Sequence, residues 1–259
     1  MKSFIACFIF VISLGTLGAQ TPAQPVAKAP GKKSENNFII LKTGGGFGLG
    51  MGDLGKRFSS WGSIPVSVYV KKNKAIFGLS YQPFLGNRVN IGNLYGGILG
   101  NSQIIYDIDG FPALIRYYMR GFAVQGKVGG LLQPTPKWQK SRVEVALGAG
   151  MMQHRIRARF DVGSVPQLEN EYAPGYDRLC NGLLLSQTVN FHYLNTETVS
   201  LFAGVEFGQG FTRNRRSWDY STMQQDNTLR KDLYLGFNAG ILIPIALKQG
   251  SKSETDYYD

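Results

Sequence analysis

The sequence predicts an all-β fold, a closed antiparallel eight-stranded transmembrane β-barrel, from three observations. Strand-like segments are joined alternately by short and long connections from about Asn37 to Leu247. Within each segment apolar residues alternate with small or polar ones, the period of a strand. After residue 20 no apolar stretch approaches the ~20 residues of a membrane-spanning helix. The 33 glycines, 16 Phe and 13 Tyr suit close strand packing and rings at a membrane interface.

The short connections are Lys71–Lys74, Gln133–Ser141 and Asn195–Thr198; the long ones lie near 52–63, 87–111, 160–180 and 213–228. Bacterial outer-membrane barrels show this asymmetry, with tight periplasmic turns and long external loops. The expected location is therefore the outer membrane of a gram-negative bacterium, with both termini periplasmic.

The elements follow in order. Met1–Lys2 is a short positive start, Phe4–Leu14 an uncharged apolar run, and Gly15–Ala19 a small-residue stretch, so 1–19 is expected to be a signal peptide cut near Ala19 or Gln20. A lipoprotein reading through Cys7 lacks the leucine and small residues before the cysteine. Residues 20–36, rich in Pro, Ala and Lys, are expected to form a flexible periplasmic tether. The barrel is expected over 37–247 and a polar tail over 248–259. Cys180 is then the one mature cysteine, so no intrachain disulfide forms and closure and packing must hold the fold.

Alternation is clearest in the last strand. Leu233, Leu235, Phe237, Ala239, Ile241 and Ile243 fall on one face; Asp232, Tyr234, Gly236, Asn238 and Gly240 fall on the other. The seventh sets Val199, Leu201, Ala203, Val205 and Phe207 against Ser200, Gly204, Glu206 and Gly208. The sixth sets Leu183, Leu185, Val189, Phe191 and Tyr193 against Ser186, Thr188, Asn190 and His192. The fifth opposes Val143, Val145, Leu147, Ala149 and Met151 to Glu144, Ala146, Gly148 and Gly150. Earlier strands follow suit: Ile39, Leu41, Phe47, Leu49 and Met51 oppose Lys42, Gly44, Gly46 and Gly48; Val66, Val68 and Val70 oppose Ser67 and Tyr69; and Phe77, Leu79 and Tyr81 oppose Gly78 and Ser80. In the fourth, Phe122, Val124 and Val128 share parity with Arg116 and Arg120, which calls for a bulge near Gly121 or emergence from the membrane above it. A soluble sandwich or calycin-like barrel would bury the apolar face instead. The inward candidates here, mostly Gly, Ser, Thr and Asn, cannot build a dry core but can fill a narrow polar lumen.

Basic residues gather where strands leave the outer leaflet: Arg116, Arg120, Arg155, Arg157, Arg159, Arg213, Arg215, Arg216 and Arg230 with Lys231. Guanidinium groups bind phosphates bidentately, so these are candidate contacts to lipopolysaccharide; the plainer reading is solvated loop charge. The net charge of +11 alone would permit nucleic-acid binding, which this location does not. Lys42, Lys127, Arg142, Glu144 and Glu206 are candidate lumen charges, with Lys127 or Arg142 expected to pair with Glu144. An eight-stranded barrel has room only for side chains, so such pairs would plug it.

No catalytic, cofactor-binding or metal site is expected. Ser186 and His192 are roughly 20 Å apart along one strand, no acidic pair brackets His154 or His192, and Gly44–Gly46 opens no helix to make a phosphate loop. The loops Asn90–Gly97, Ser102–Phe111 and Val165–Leu179 mix aromatics, amides and prolines, which suits ordered binding loops. Tyr172, Tyr176, Asp177 and Arg178 are the candidate protein-contact residues.

The Leu17–Gln20 signal end, the glycine-rich first strand and the Leu233–Leu247 closing strand resemble, at the level of a class, the small outer-membrane barrels of Bacteroidota-type envelopes, of OmpA and OmpX size. Several barrels of this size belong to the type IX secretion and gliding apparatus, and that similarity implies an accessory structural role. The expected function is a non-catalytic component of an envelope complex, such as protein secretion or assembly, acting through external loops and tether. The expected partners are outer-membrane lipid, lipopolysaccharide and protein. A small passive transporter or pore is the alternative, and a rim-located lipid-modifying enzyme comes third.

Overall fold

The computed structural model describes residues 38–72, 74–96, 98–99, 104–135, 140–194 and 200–246. The expected signal peptide, tether and tail, the 195–198 turn and Val199 lie outside the described residues. The strands are β1 (Phe38–Met51), β2 (Phe58–Ser63), β3 (Val66–Lys72), β4 (Ala75–Val89), β5 (Leu114–Leu132), β6 (Ser141–Val162), β7 (Cys180–Tyr193), β8 (Ser200–Asn214) and β9 (Arg230–Ala246); a single helical turn, α1 (Gly52–Gly55), follows β1. All neighbours pair antiparallel, and β1 closes the ring by pairing with β9 from Phe38↔Ala246 to Met51↔Leu233.

Nine strands make eight staves. β2 and β3 pair with β1 in one continuous frame, Gly48↔Trp61 above and Lys42↔Ser67 below. The break falls at Ile64–Pro65, where proline has no N–H to give the ladder. The expected long connection at 52–63 is therefore corrected: most of it is α1 and β2, and only Lys56 and Arg57 join them. Six residues of the supposed loop, with Trp61 among them, are barrel wall.

The pairing register fixes the tilt. A path from Met51 across Leu233, Gln209, Leu185, Ala149, Gly126, Leu79 and Val68 returns to β1 at Leu41, ten residues below its start. That stagger goes with staves inclined roughly 35–45° to the axis.

Outward positions are greasy and exposed: Phe77 is 51% exposed, Leu79 67% and Leu147 60%, with Val68, Val128, Leu183, Phe191, Leu201 and Ile243 in the same state around the ring. A soluble monomer rarely shows one contiguous apolar patch beyond a few hundred Å²; here the apolar surface encircles the molecule, as on a wall that faces lipid. On β5 the ladder runs through Gly121 unbroken on both sides, Phe84↔Gly121↔His154, and its register shifts only between Leu114 and Ile115. The bulge expected near Gly121 is not there, and Arg116 and Arg120 simply continue the outward face beyond the greasy band.

Inside, the expectation of a mostly small and polar lumen fails in one half. Phe58, Trp61, Phe84, Met119, Ala123, Met152, Ile156, Leu184 and Tyr234 form a buried apolar tier toward the loop end, continued upward by Leu54, Leu94, Tyr95, Val165 and Leu168. The polar tier occupies the half nearer the short turns. Gly208 shows why glycine is interleaved: a methyl group there would overlap the Tyr234 ring.

Candidate functional site

The polar tier is built from inward residues that reach across the lumen. Lys42 on β1 donates to Glu144 on β6 at 3.0 Å, and the same carboxylate bonds His192 Nε2 at 2.7 Å. Lys127 on β5 pairs with Glu206 on β8, which also accepts Thr188 Oγ1 at 3.1 Å, Tyr234 Oη at 2.6 Å and Gln125 Nε2 at 3.4 Å. Glu144 and Glu206 are 1% and 2% exposed, so each buried charge is paired and further hydrogen-bonded, the condition under which buried ions persist. The expected pairing of Glu144 with Lys127 or Arg142 is corrected. Strand adjacency suggested it, but in so narrow a lumen the long side chains span to staves that are not neighbours. Arg142 is half-buried and donates to the Ser141 carbonyl at 2.7 Å.

Each histidine meets a single carboxylate. His154 bonds Asp232 at 2.8 Å, Thr212 donates to the same oxygen, and Arg57 lies 3.7 Å from the other. Arg57 also reaches Cys180 Sγ at 3.3 Å. His154, Asp232 and Thr212 are fully buried, and the group joins β6, β8, β9 and the α1–β2 link. The sequence reading missed Arg57, Thr212 and Asp232. Inward parity of Asp232 and His154 was the available signal. Among the described residues no three His, Cys, Asp or Glu side chains gather to hold a metal ion.

Above this tier the loops are locked to each other. Tyr117, Tyr95, Tyr176 and Tyr220 pack in a chain of tilted rings, with centroids 5.4–5.7 Å apart, and Tyr220 lies so close over Gly175 that any side chain there would collide. Burial first, then Tyr117, pushes the Tyr95 phenol well up from its ordinary pKa. Asp177 takes a bidentate grip from Arg216, which its hydrogen bond holds above the usual guanidinium range, and stands 3.7 Å from Arg155. Arg178 reaches Asp219 at 3.6 Å and Ser221 at 2.9 Å. The charged ends of Asp177 and Arg178, expected to meet a partner, are thus used inside the cap; Tyr172 is exposed and Tyr176 half-buried.

The nine candidate arginines all lie toward the loop end but divide in two. Arg216 and Arg230 turn inward, Arg230 to Asp226. On the outer face of β5 and β6, Arg116 stands directly opposite Arg159 and Arg120 opposite Arg155, with Arg157 opposite Tyr118 between them. Asp161 takes Arg116 and, at 3.5 Å, Arg159; Arg120 lies 5.0 Å over the Tyr118 ring. Arg213 and Arg215 are exposed. Like charges directly across a ladder repel, and Asp161 offsets only part of this cluster.

Beyond the arginines the 104–114 segment forms a small hairpin. The Asp107 N–H bonds Phe111 O at 2.8 Å, Asp107 Oδ1 caps the Asp109 and Phe111 N–H groups, and the Ile108 N–H reaches Ser164 O at 3.1 Å. This fold holds Ile108 and Phe111, each 67% exposed, beside exposed Leu114 and Val162.

No family model and no curated relative matches the chain. Among solved structures, Neisserial surface protein A is 15% identical over 81% of this chain and 99% of its own, with a TM-score of 0.38. The attachment invasion locus protein Ail of Yersinia pestis is 11% identical, over 81% and 99%, at 0.41. The outer membrane protein OprG from Pseudomonas aeruginosa is 13% identical, over 82% and 97%, at 0.41.

Proposed function

We propose that the chain is a non-catalytic, non-conducting outer-membrane barrel that docks a protein of an envelope complex through its external loop end. The observation that carries this reading is the exposed apolar pair Ile108 and Phe111 on a hydrogen-bonded hairpin, with the exposed strand-end residues Leu114 and Val162 below it. Exposed apolar clusters on ordered scaffolds mark protein contacts. The girdling lipid-facing surface supports the membrane location, and the long-loop end is then external. The paired charges and the aromatic tier that fill the lumen speak against the passive-pore alternative. The outward arginine ladder suits phosphates of outer-leaflet lipopolysaccharide, which would relieve the Arg116/Arg159 and Arg120/Arg155 oppositions.

The test is affinity capture from native membranes with Ile108→Ser and Phe111→Ser combined. A defined partner should co-purify with the parent chain and be lost from the variant, while heat-modifiable gel migration stays unchanged. A barrel that purifies alone from native membranes, or ion conductance by the parent chain in planar bilayers, would count against the reading.

A further inference from the structure

On the β7–β8 face a pair of amides interrupts the greasy band. On β7 the outward residues read Leu183, Leu185, Gln187, Val189, Phe191 and Tyr193, so Gln187 sits in the middle of an apolar stave. It stands directly opposite Leu147 on one side and Phe207 on the other. At ~3.3 Å per residue it is roughly 20 Å along the strand from Tyr193 and 13 Å from Leu183. Gln209 on β8 donates to Gln187 Oε1 at 3.3 Å. A primary amide has two N–H donors and a carbonyl, so this bond leaves the Gln187 NH₂ and the Gln209 carbonyl without a side-chain partner among the described residues. Exchanging N and O in both amides merely swaps which glutamine has which group. Acyl chains can satisfy neither.

We propose that the β7–β8 face is the interface of a homodimer in the membrane, each copy's Gln187–Gln209 pair bonding the other's. This rests on the membrane-barrel reading above. The occupant must offer both a donor and an acceptor at this depth. A second copy related by a two-fold axis along the membrane normal does so by symmetry, since its free amide groups lie at the same height. The neighbouring wall permits approach: on the β6 side of Leu185 the pairing line continues through the small outward residues Ala149 and then Gly126, and a Cβ added at Gly126 would meet only the Ala149 carbonyl, at 3.8 Å. Arg155 and Arg213 border the face at the loop end in both copies, so anionic lipid between the rims favours the pairing.

The test uses the barrel reconstituted in phosphatidylcholine–phosphatidylglycerol vesicles. Cysteine is introduced at Leu185 (L185C), which faces outward opposite Gln209 and leaves both amides in place, or, as a control on a distant stave, at Phe77 (F77C), the native Cys180 being fully buried. L185C should form a disulfide-linked species of twice the monomer mass and F77C should not. In the cysteine-free-surface background, Gln187→Leu with Gln209→Leu should weaken self-association measured by energy transfer by on the order of tenfold or more. Those leucines suit a lipid-facing position, so heat-modifiable migration should persist. Equal cross-linking at 185 and 77, a monomeric parent chain, or unchanged association of the double-leucine variant overturns the proposal. Loss of heat-modifiable migration in the parent chain would overturn the barrel reading itself.

Discussion

Replacing Glu206 by leucine is the sharpest probe of the lumen. The carboxylate is 2% exposed and holds Lys127, Thr188, Tyr234 and Gln125. Its loss strands the Lys127 ammonium, itself 7% exposed, with Thr188 Oγ1 at 3.2 Å as its remaining partner. Removing one member of a buried ion pair costs ~3–5 kcal/mol, because the other charge stays desolvated. Substituting both members leaves only neutral orphans such as the Tyr234 hydroxyl, each worth ~1–3 kcal/mol. Lys127→Met added to Glu206→Leu should therefore recover part of the loss. The assay is urea unfolding in lipid vesicles, followed by heat-modifiable gel migration. Should the second substitution deepen the loss, or the first cost less than ~1 kcal/mol, Lys127 and Glu206 do not act as a buried pair.

Three further outcomes follow. Gly208→Val drives a side chain into the Tyr234 ring and should cost ~1–3 kcal/mol by overpacking, with Tyr234→Leu as partial rescue in the same unfolding assay. Asp177→Asn removes the charge that Arg216 and Arg155 share; limited proteolysis should then cut within 163–179 faster while the barrel fragment survives. Asp53 is held below its ordinary pKa of 3.8 first by the Lys56 hydrogen bond, then by the Lys231 N–H. A depressed carboxyl stabilises above its unfolded pKa and loses that contribution as pH falls through the folded value, so hydrogen exchange of the Lys231 amide should quicken below about pH 3.8, relative to the exchange expected for an unfolded chain.

The staves were legible because lipid demands apolar residues at every second position, and β6 to β9 obey that rule almost without exception. The lumen was legible only in part. Phe84, Met152, Leu184 and Tyr234 share faces with Gly, Ser and Gln, so the inward pattern reads as small and polar although its large members gather in one tier. Trp61 was hidden because Pro65 and the glycines around it resemble a loop. Lys42–Glu144 and Lys127–Glu206 were out of reach for a different reason: strand order tells which staves are neighbours, while the ion pairs join staves that are not. The arginine positions followed from the topology, but which of them turn inward depends on Asp177 and Asp226, loop residues with no period to read.

The two ion pairs that cross the lumen constrain how the molecule is assembled. The partner of Lys42 comes 102 residues later in the chain and that of Lys127 79 later, so neither brace can be set in a growing hairpin. A nascent sheet must keep both ammonium groups wet until β6 and then β8 arrive, and water leaves the middle only at the end. Circular permutants that begin at β5 bring Lys127 and Glu206 no closer in sequence, yet turn Lys42 into the last charge to be neutralised, which makes order of closure something an experimenter can set.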